Sequence, residues 1–137
     1  MKVKVLNIVI VENDEKILMR KKPDGSPPYD ETWYISGGEV KDGIPPEEAA
    51  KQVIKEQTGV NTKLRENVCW DTEIKEDLDG EVKQFIYLDS IFDYVDGGIV
   101  VGEGIEKVEW TPIKQLGDYD IAPPSRVLFE KLGYLQK

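Results

Sequence analysis

Gly37-Gly38-Glu39-Val40-Lys41-Asp42-Gly43-Ile44-Pro45-Pro46-Glu47-Glu48-Ala49-Ala50-Lys51-Gln52-Val53-Ile54-Lys55-Glu56-Gln57-Thr58-Gly59-Val60 reads as a glycine loop followed by a capped helix. Pro45 and Pro46 suit the first helical turn, where a backbone N–H has no partner to lose. Glu47 and Glu48 fall in that same turn and favour the positive end of the helix dipole. Ala49, Ala50, Val53, Ile54 and Val60 recur at helical spacing and form one apolar stripe. Glu47 and Lys51 make a favourable i,i+4 pair. Gly59 is suited to end the helix in the left-handed conformation.

Upstream, Lys2 to Val11 is almost continuously β-branched and aliphatic, which predicts a central strand buried on both faces. Glu12 to Glu15 is a turn, and Lys16 to Arg20 is its hairpin partner. Arg20, Lys21 and Lys22 form a small basic cluster that reads as a solvated strand end. Lys22 to Thr32 is a loop rich in Pro, Gly and Asp. Trp33 to Ile35 is a short strand leading into the glycines. Tyr29 and Trp33 flank that entry and either stack on a base or pack beneath it.

Downstream, Asn61 to Lys75 and Val82 to Tyr94 are strands joined by the hairpin signal Asp77-Leu78-Asp79-Gly80. Val68, Trp70, Thr72 and Ile74 alternate along one side of the first; Phe85, Tyr87, Asp89 and Ile91 share one side of the second. Asp96 to Gly104 is a glycine-rich loop, and Ile105 to Trp110 a further strand. Pro112 to Leu116 is a turn or short helix. Pro123-Pro124-Ser125 opens a last amphipathic helix with Val127, Leu128 and Leu132 inward. The reading is one α+β domain over residues 1–137, without linkers or repeats.

Composition narrows the function. Apolar content of 39% and charged content of 33% are ordinary for a soluble globular protein. No apolar run approaches membrane-spanning length, and the start is read as a strand rather than a signal peptide. The single Cys69 excludes an internal disulfide and fits a reducing cytoplasm. With no histidine, His-based triads and His-containing zinc sites are excluded. A net charge of −9 argues against nucleic-acid binding, since no basic stripe is available to displace counterions. It also repels an anionic small molecule unless a metal or local Lys/Arg compensates.

The opening stretch resembles the signature of the Nudix (MutT-like) hydrolases: Gly, five residues, Glu, seven residues, Arg-Glu, aliphatic, any, Glu-Glu, any, Gly, aliphatic. Anchored on Gly38 and Gly59, the spacing fits without insertion or deletion. Gly38, Ile54, Glu56, Gly59 and Val60 match. Ile44 stands for the first Glu, Gln52 for the Arg, Val53 for the next Glu and Gln57 for the last Glu. The resemblance implies an α/β/α sandwich around a mixed sheet, spanning residue 3 to about residue 133.

It also implies a chemistry. In the family, carboxylates at the positions of Val53, Glu56 and Gln57 share one helix face and hold Mg²⁺ or Mn²⁺ against a diphosphate. Here Glu56 alone remains. With the carbonyl oxygen of Gln57 it is expected to hold one ion weakly, and Gly37 and Gly38 to present backbone carbonyls to the same site. Arg20 is expected to face the phosphates of a small nucleotide. Trp33 and Tyr87, with Glu73 and Lys83, are further cleft candidates. Glu103 is the nearest match to an additional loop acid that serves as ligand or base; Glu106 competes with it. Pairing into a homodimer is expected from relatives of this fold. Three functions stay open: hydrolysis of a nucleoside diphosphate linked to another group, through Mg²⁺ and Glu56; a nucleotide-binding or regulatory module that has lost the chemistry; and an enzyme with its acids placed elsewhere, as on the loop with Glu103.

Overall fold

The computed structural model describes residues 1–27 and 29–136; Pro28, within the expected loop, and Lys137 lie outside the described residues. Strand β1 (Val3–Asn13) is the axis of a mixed seven-stranded sheet. Strand β2 (Lys16–Lys21) returns antiparallel through a two-residue turn. Asp14 and Glu15 there have φ of 53° and 61°. Two left-handed residues are what a tight hairpin between right-twisted strands needs, so the turn is shorter than the expected Glu12 to Glu15.

Strand β3 (Trp33–Tyr34) pairs with β2, and β4 (Ser36–Glu39) pairs antiparallel with the first half of β1. Helix α1 (Pro46–Thr58) follows. Strands β5 (Asn61–Glu76) and β6 (Val82–Asp96) form a long hairpin, and β6 docks parallel to β1. Strand β7 (Lys107–Pro112) pairs with β2, and a 3₁₀ turn (Ile113–Asp118) leads to helix α2 (Pro123–Lys131).

Alternation along β1 divides the core into two layers, as expected for a strand buried on both faces. Val9 and Val11 pack with Leu18, Phe92 and, from α1, Ala50 and Ile54. Ile10 packs on the other side with Ile17, Ile91 and, from α2, Leu128 and Phe129. The result is the α/β/α sandwich.

Two side chains, Val127 and Val68, depart from the expected pattern. Val127 is 37% exposed; Phe129 takes the inward place instead. Trp70 and Ile74 are 75% and 62% exposed. They lie on the sheet face shared with α1, beyond the end of that helix. Val68 is not on their side, because the pairing shifts between Asn67 and Cys69. This bulge turns both Val68 and Cys69 toward the α2 layer.

Helix α1 stops where expected. Gly59 has φ of 84°, and its N–H bonds to the carbonyl of Lys55. A Cβ there would lie 2.7 Å from the Gly98 carbonyl oxygen and 2.8 Å from the Val100 nitrogen. Gly59→Ala is therefore expected to lower unfolding free energy by more than about 1 kcal/mol, the sum of left-handed strain and a backbone clash. Urea denaturation checks this.

Candidate active-site cleft

The glycine entry is fixed by β1. Gly37 and Gly38 pair with Ile8 and Asn7, and a Cβ on Gly37 would meet the Asn7 carbonyl oxygen at 2.4 Å. From the other side α1 presses on the same two residues. The Val53 side chain covers Gly38, where a Cβ would lie 2.8 Å from its Cγ2. Gln57 holds Gly37: its Nε2 donates to the Gly37 carbonyl at 2.8 Å, and its Oε1 accepts from the Gly37 N–H at 3.4 Å. Of the three substituted helix positions, Val53 and Gln57 touch the loop.

A cleft of about 300 Å³ opens beside this contact. It is lined by Arg20, Tyr34, Gly37, Gly38 and Gln57, with Tyr29, Lys75 and Tyr87 across from α2 residues Pro124 and Ser125. Mostly apolar walls with a few convergent polar groups are typical of a small-molecule site. β2 delivers Arg20, whose Nε donates to the Ile35 carbonyl at 3.0 Å and whose guanidinium stacks on the Tyr34 ring at 4.2 Å. Burial pulls its pKa down to about 10, with Tyr34 opposing. It remains charged at neutral pH, and among the described residues no carboxylate pairs with it.

The β5–β6 hairpin supplies the opposite wall. Lys75 donates to the Tyr29 hydroxyl at 2.6 Å and lies 4.4 Å and 4.6 Å from the centres of the Tyr29 and Phe85 rings. The Tyr29 and Tyr87 hydroxyls both donate to Glu73 Oε1, at 2.8 Å and 2.6 Å. Burial pushes the Glu73 carboxyl up, but the bonds from Tyr87 and Tyr29 and the charge of Lys75 outweigh it and hold the pKa below its ordinary value. Burial and the same carboxylate push both phenols up.

The expected site residues separate into groups. Arg20, Gly37, Gly38, Gln57 and Tyr87 come together in the cleft. Trp33 does not line it; it packs edge-on against Tyr119, 5.0 Å between ring centres, beside the α2-side core. Tyr34, one residue on, takes the cleft position. Lys83 turns to the hairpin acids Asp77 and Asp79, at 2.9 Å and 2.7 Å. Of the basic cluster, Lys21 pairs with Glu106 at 2.6 Å, and Lys22 is buried, donating to the Ser26 and Tyr29 carbonyls. Glu106 is thereby engaged at the surface. Glu103 is exposed on the glycine loop, next to Gly102, whose N–H donates to the Gln57 carbonyl at 3.0 Å.

Glu56 lies in a separate hollow of about 90 Å³ with Glu39, Lys41, Ile44, Gln52 and Val53. The described residues do not gather a cluster of side-chain ligands for Mg²⁺ or Mn²⁺ in this hollow. Among the described residues, no three His, Cys, Asp or Glu side chains converge. The Gly37 carbonyl accepts from Gln57, and the Gln57 carbonyl from Gly102. Val53 contributes methyl groups where a ligand is required. The donor set does not fit a multi-ion centre.

Lys75 and Tyr34 were missed by sequence reading. The strand pairing that sets Asp71, Glu73 and Lys75 beside Phe85, Tyr87 and Asp89 was the available signal. Polar residues alternating with Trp70, Thr72 and Ile74 mark the cleft side of β5.

The NUDIX domain family matches residues 1–132, and the chain belongs to that family. It is 28% identical over 132 residues to nucleoside triphosphatase NudI of Escherichia coli K12, covering 92% of this chain and 94% of that one. The Escherichia fergusonii NudI is 26% identical over the same length and coverage. A MutT NUDIX hydrolase of Burkholderia pseudomallei superposes with a TM-score of 0.73 at 21% identity, covering 96% of this chain and 99% of its own. A NUDIX hydrolase of Nitrosomonas europaea gives 0.74 at 14% identity, with 96% and 89% covered. These structures share the fold. No helix among the described residues is long and apolar enough to cross a membrane.

Asp89 borders a neighbouring cleft with Asp71, Glu73 and Tyr87. It is 5% exposed, and burial lifts its pKa to about 6 against the thiol bond from Cys69 and the charge of Lys131. The folded chain then holds this proton more tightly than the unfolded one. Its contribution favours folding below the ordinary carboxylate range and is lost as pH rises toward 6. Asp89→Asn is expected to gain stability relative to the native chain across that interval, with the difference level above it. Thermal melts from pH 4 to pH 7 measure this.

Proposed function

We propose that this NUDIX-family chain binds a nucleoside di- or triphosphate compound in the Arg20–Tyr34–Tyr87 cleft, and that its metal-dependent hydrolysis is severely slowed. The observation that carries this reading is the contact of α1 with the glycine loop. Gln57 bonds to Gly37 and Val53 covers Gly38, where relatives with the full signature place carboxylates. A preorganised charge site contributes several kcal/mol to catalysis, and each ~1.4 kcal/mol lost is tenfold in rate. The cleft itself keeps an apolar wall, aromatic rings and cations suited to a base and its phosphates.

A second reading rests on a specific observation: Glu39 and Glu56 line one hollow. Mg²⁺ is often held by one or two carboxylates plus substrate phosphates and waters. In that reading Glu56 is the metal ligand of a hydrolase acting on a nucleoside diphosphate linked to another group, and the triphosphatase activity in the name of NudI is the nearest guide to the reaction. Glu103, exposed on the loop that touches α1, is then the candidate base.

Phosphate release from a panel of nucleoside triphosphates and diphosphate-linked compounds, with Mg²⁺ and Mn²⁺, separates the two. The first reading expects turnover at least about a thousandfold below that of Val53→Glu/Gln57→Glu, in which the carboxylates return, equivalent to some 4 kcal/mol of barrier. Fast turnover by the native chain that disappears in Glu56→Gln establishes the second.

A further inference from the structure

The nucleotide-cleft reading leaves a charge problem. The chain carries a net charge of −9, and the donor set lacks the metal centre that would neutralise phosphates. Two cations nevertheless enter the cleft from opposite walls. Arg20 comes from β2 and has no carboxylate partner among the described residues; Lys75 comes from β5. An ammonium has three donors. Tyr29 takes one at 2.6 Å, and Glu73 lies 3.4 Å away on one side. Among the described residues the third donor has no hydrogen-bond partner, which leaves it for a ligand oxygen. Glu73 lines the neighbouring cleft rather than this one, and its Oε1 accepts from the Tyr29 and Tyr87 hydroxyls.

The second part of the problem is mechanical. A carbonyl facing a carboxylate presents two acceptors, which need a cation or a bridging donor between them. Gln57 removes that need. Its amide donates to the Gly37 carbonyl and accepts from the Gly37 N–H, a pairing no carboxylate can make. The cleft wall at Gly37 is therefore held without an ion.

Resting on the nucleotide-cleft reading, we propose that this chain binds the phosphates of its ligand without a metal ion, with Lys75 supplying the second positive charge beside Arg20 and Gln57 acting as the positioning residue that holds Gly37. The ligand class is a nucleotide whose diphosphate meets protein cations directly. Arg20 gives a fork suited to two phosphate oxygens, and Lys75 a point charge.

The test is calorimetric binding of ADP, with inorganic pyrophosphate beside it, in EDTA and in Mg²⁺. The native chain is expected to bind with affinities within about threefold in the two buffers, a difference under ~1 kcal/mol. Lys75→Gln is expected to weaken binding in EDTA about tenfold or more, the effect of one charge-assisted hydrogen bond, and Lys75→Arg to restore most of it. Gln57→Glu is expected to make affinity and melting temperature both depend on Mg²⁺, a response that general loosening of the fold would not give. Native binding that appears only with Mg²⁺ overturns the inference and leaves the nucleotide cleft standing. Unchanged affinity in Lys75→Gln also overturns it. Absence of binding in both buffers overturns the nucleotide reading together with the inference.

Discussion

The side-chain amide of Gln57 and the peptide of Gly37 hold each other directly, and much of the cleft depends on that pair. Helix α1 must sit against β4, since Ala50 and Ile54 close the core layer under it. The glycines must be bare, since backbone and Val53 crowd the space where side chains would go. Once helix and loop are this close, the groups between them must attract. Carboxylates at these positions would leave acceptors facing acceptors and would call for a cation or a bridging donor between them. Here an amide and a valine meet the requirement with a hydrogen bond and van der Waals contact. The consequence is structural as well as chemical: the Gly37 peptide finds both its partners in the Gln57 amide.

The same constraint explains the division into two hollows. Glu56 remains on the outer side of α1 with Glu39, while the larger, more apolar cleft lies on the inner side of Gly37. In the proposed binding mode the ligand-facing charge belongs to Arg20 and Lys75, which β2 and β5 bring to the cleft. A site built on paired strands is well defined in geometry, and its two cations offset the acidic character of the whole chain only where an anion enters.

Much of the fold was legible in the sequence because the deciding features are local. Prolines at the start of α1, Gly59 at its end and the unbroken aliphatic run of β1 each act through neighbouring backbone geometry. Their expected bounds differ from the structure by a few residues at most. That Gly37, Gly38 and Gln57 share one site was implied by the resemblance to the family signature, not by the residues alone. What was not legible depends on distant pairing. Trp33 and Tyr34 are neighbours in a two-residue strand, and only the register with Arg20 and Lys21 decides which one faces the cleft. The bulge at Asn67 to Cys69 reverses the side of Val68, and no residue type in that stretch announces it. The fates of Lys21, Lys22 and Lys83 were set by partners far along the chain or across a turn.

The most direct measurement is Mn²⁺ titration of the isotopically labelled chain, followed by amide NMR. A paramagnetic ion broadens the resonances around any ordered site. With the Gly37 carbonyl held by Gln57, the expected result at stoichiometric Mn²⁺ is no selective broadening of Gly37, Gly38, Glu56 or Gln57, and an intact Gln57 side-chain amide signal. Selective loss of those resonances, with the Gln57 amide displaced, would contradict the account and restore a metal centre to the loop.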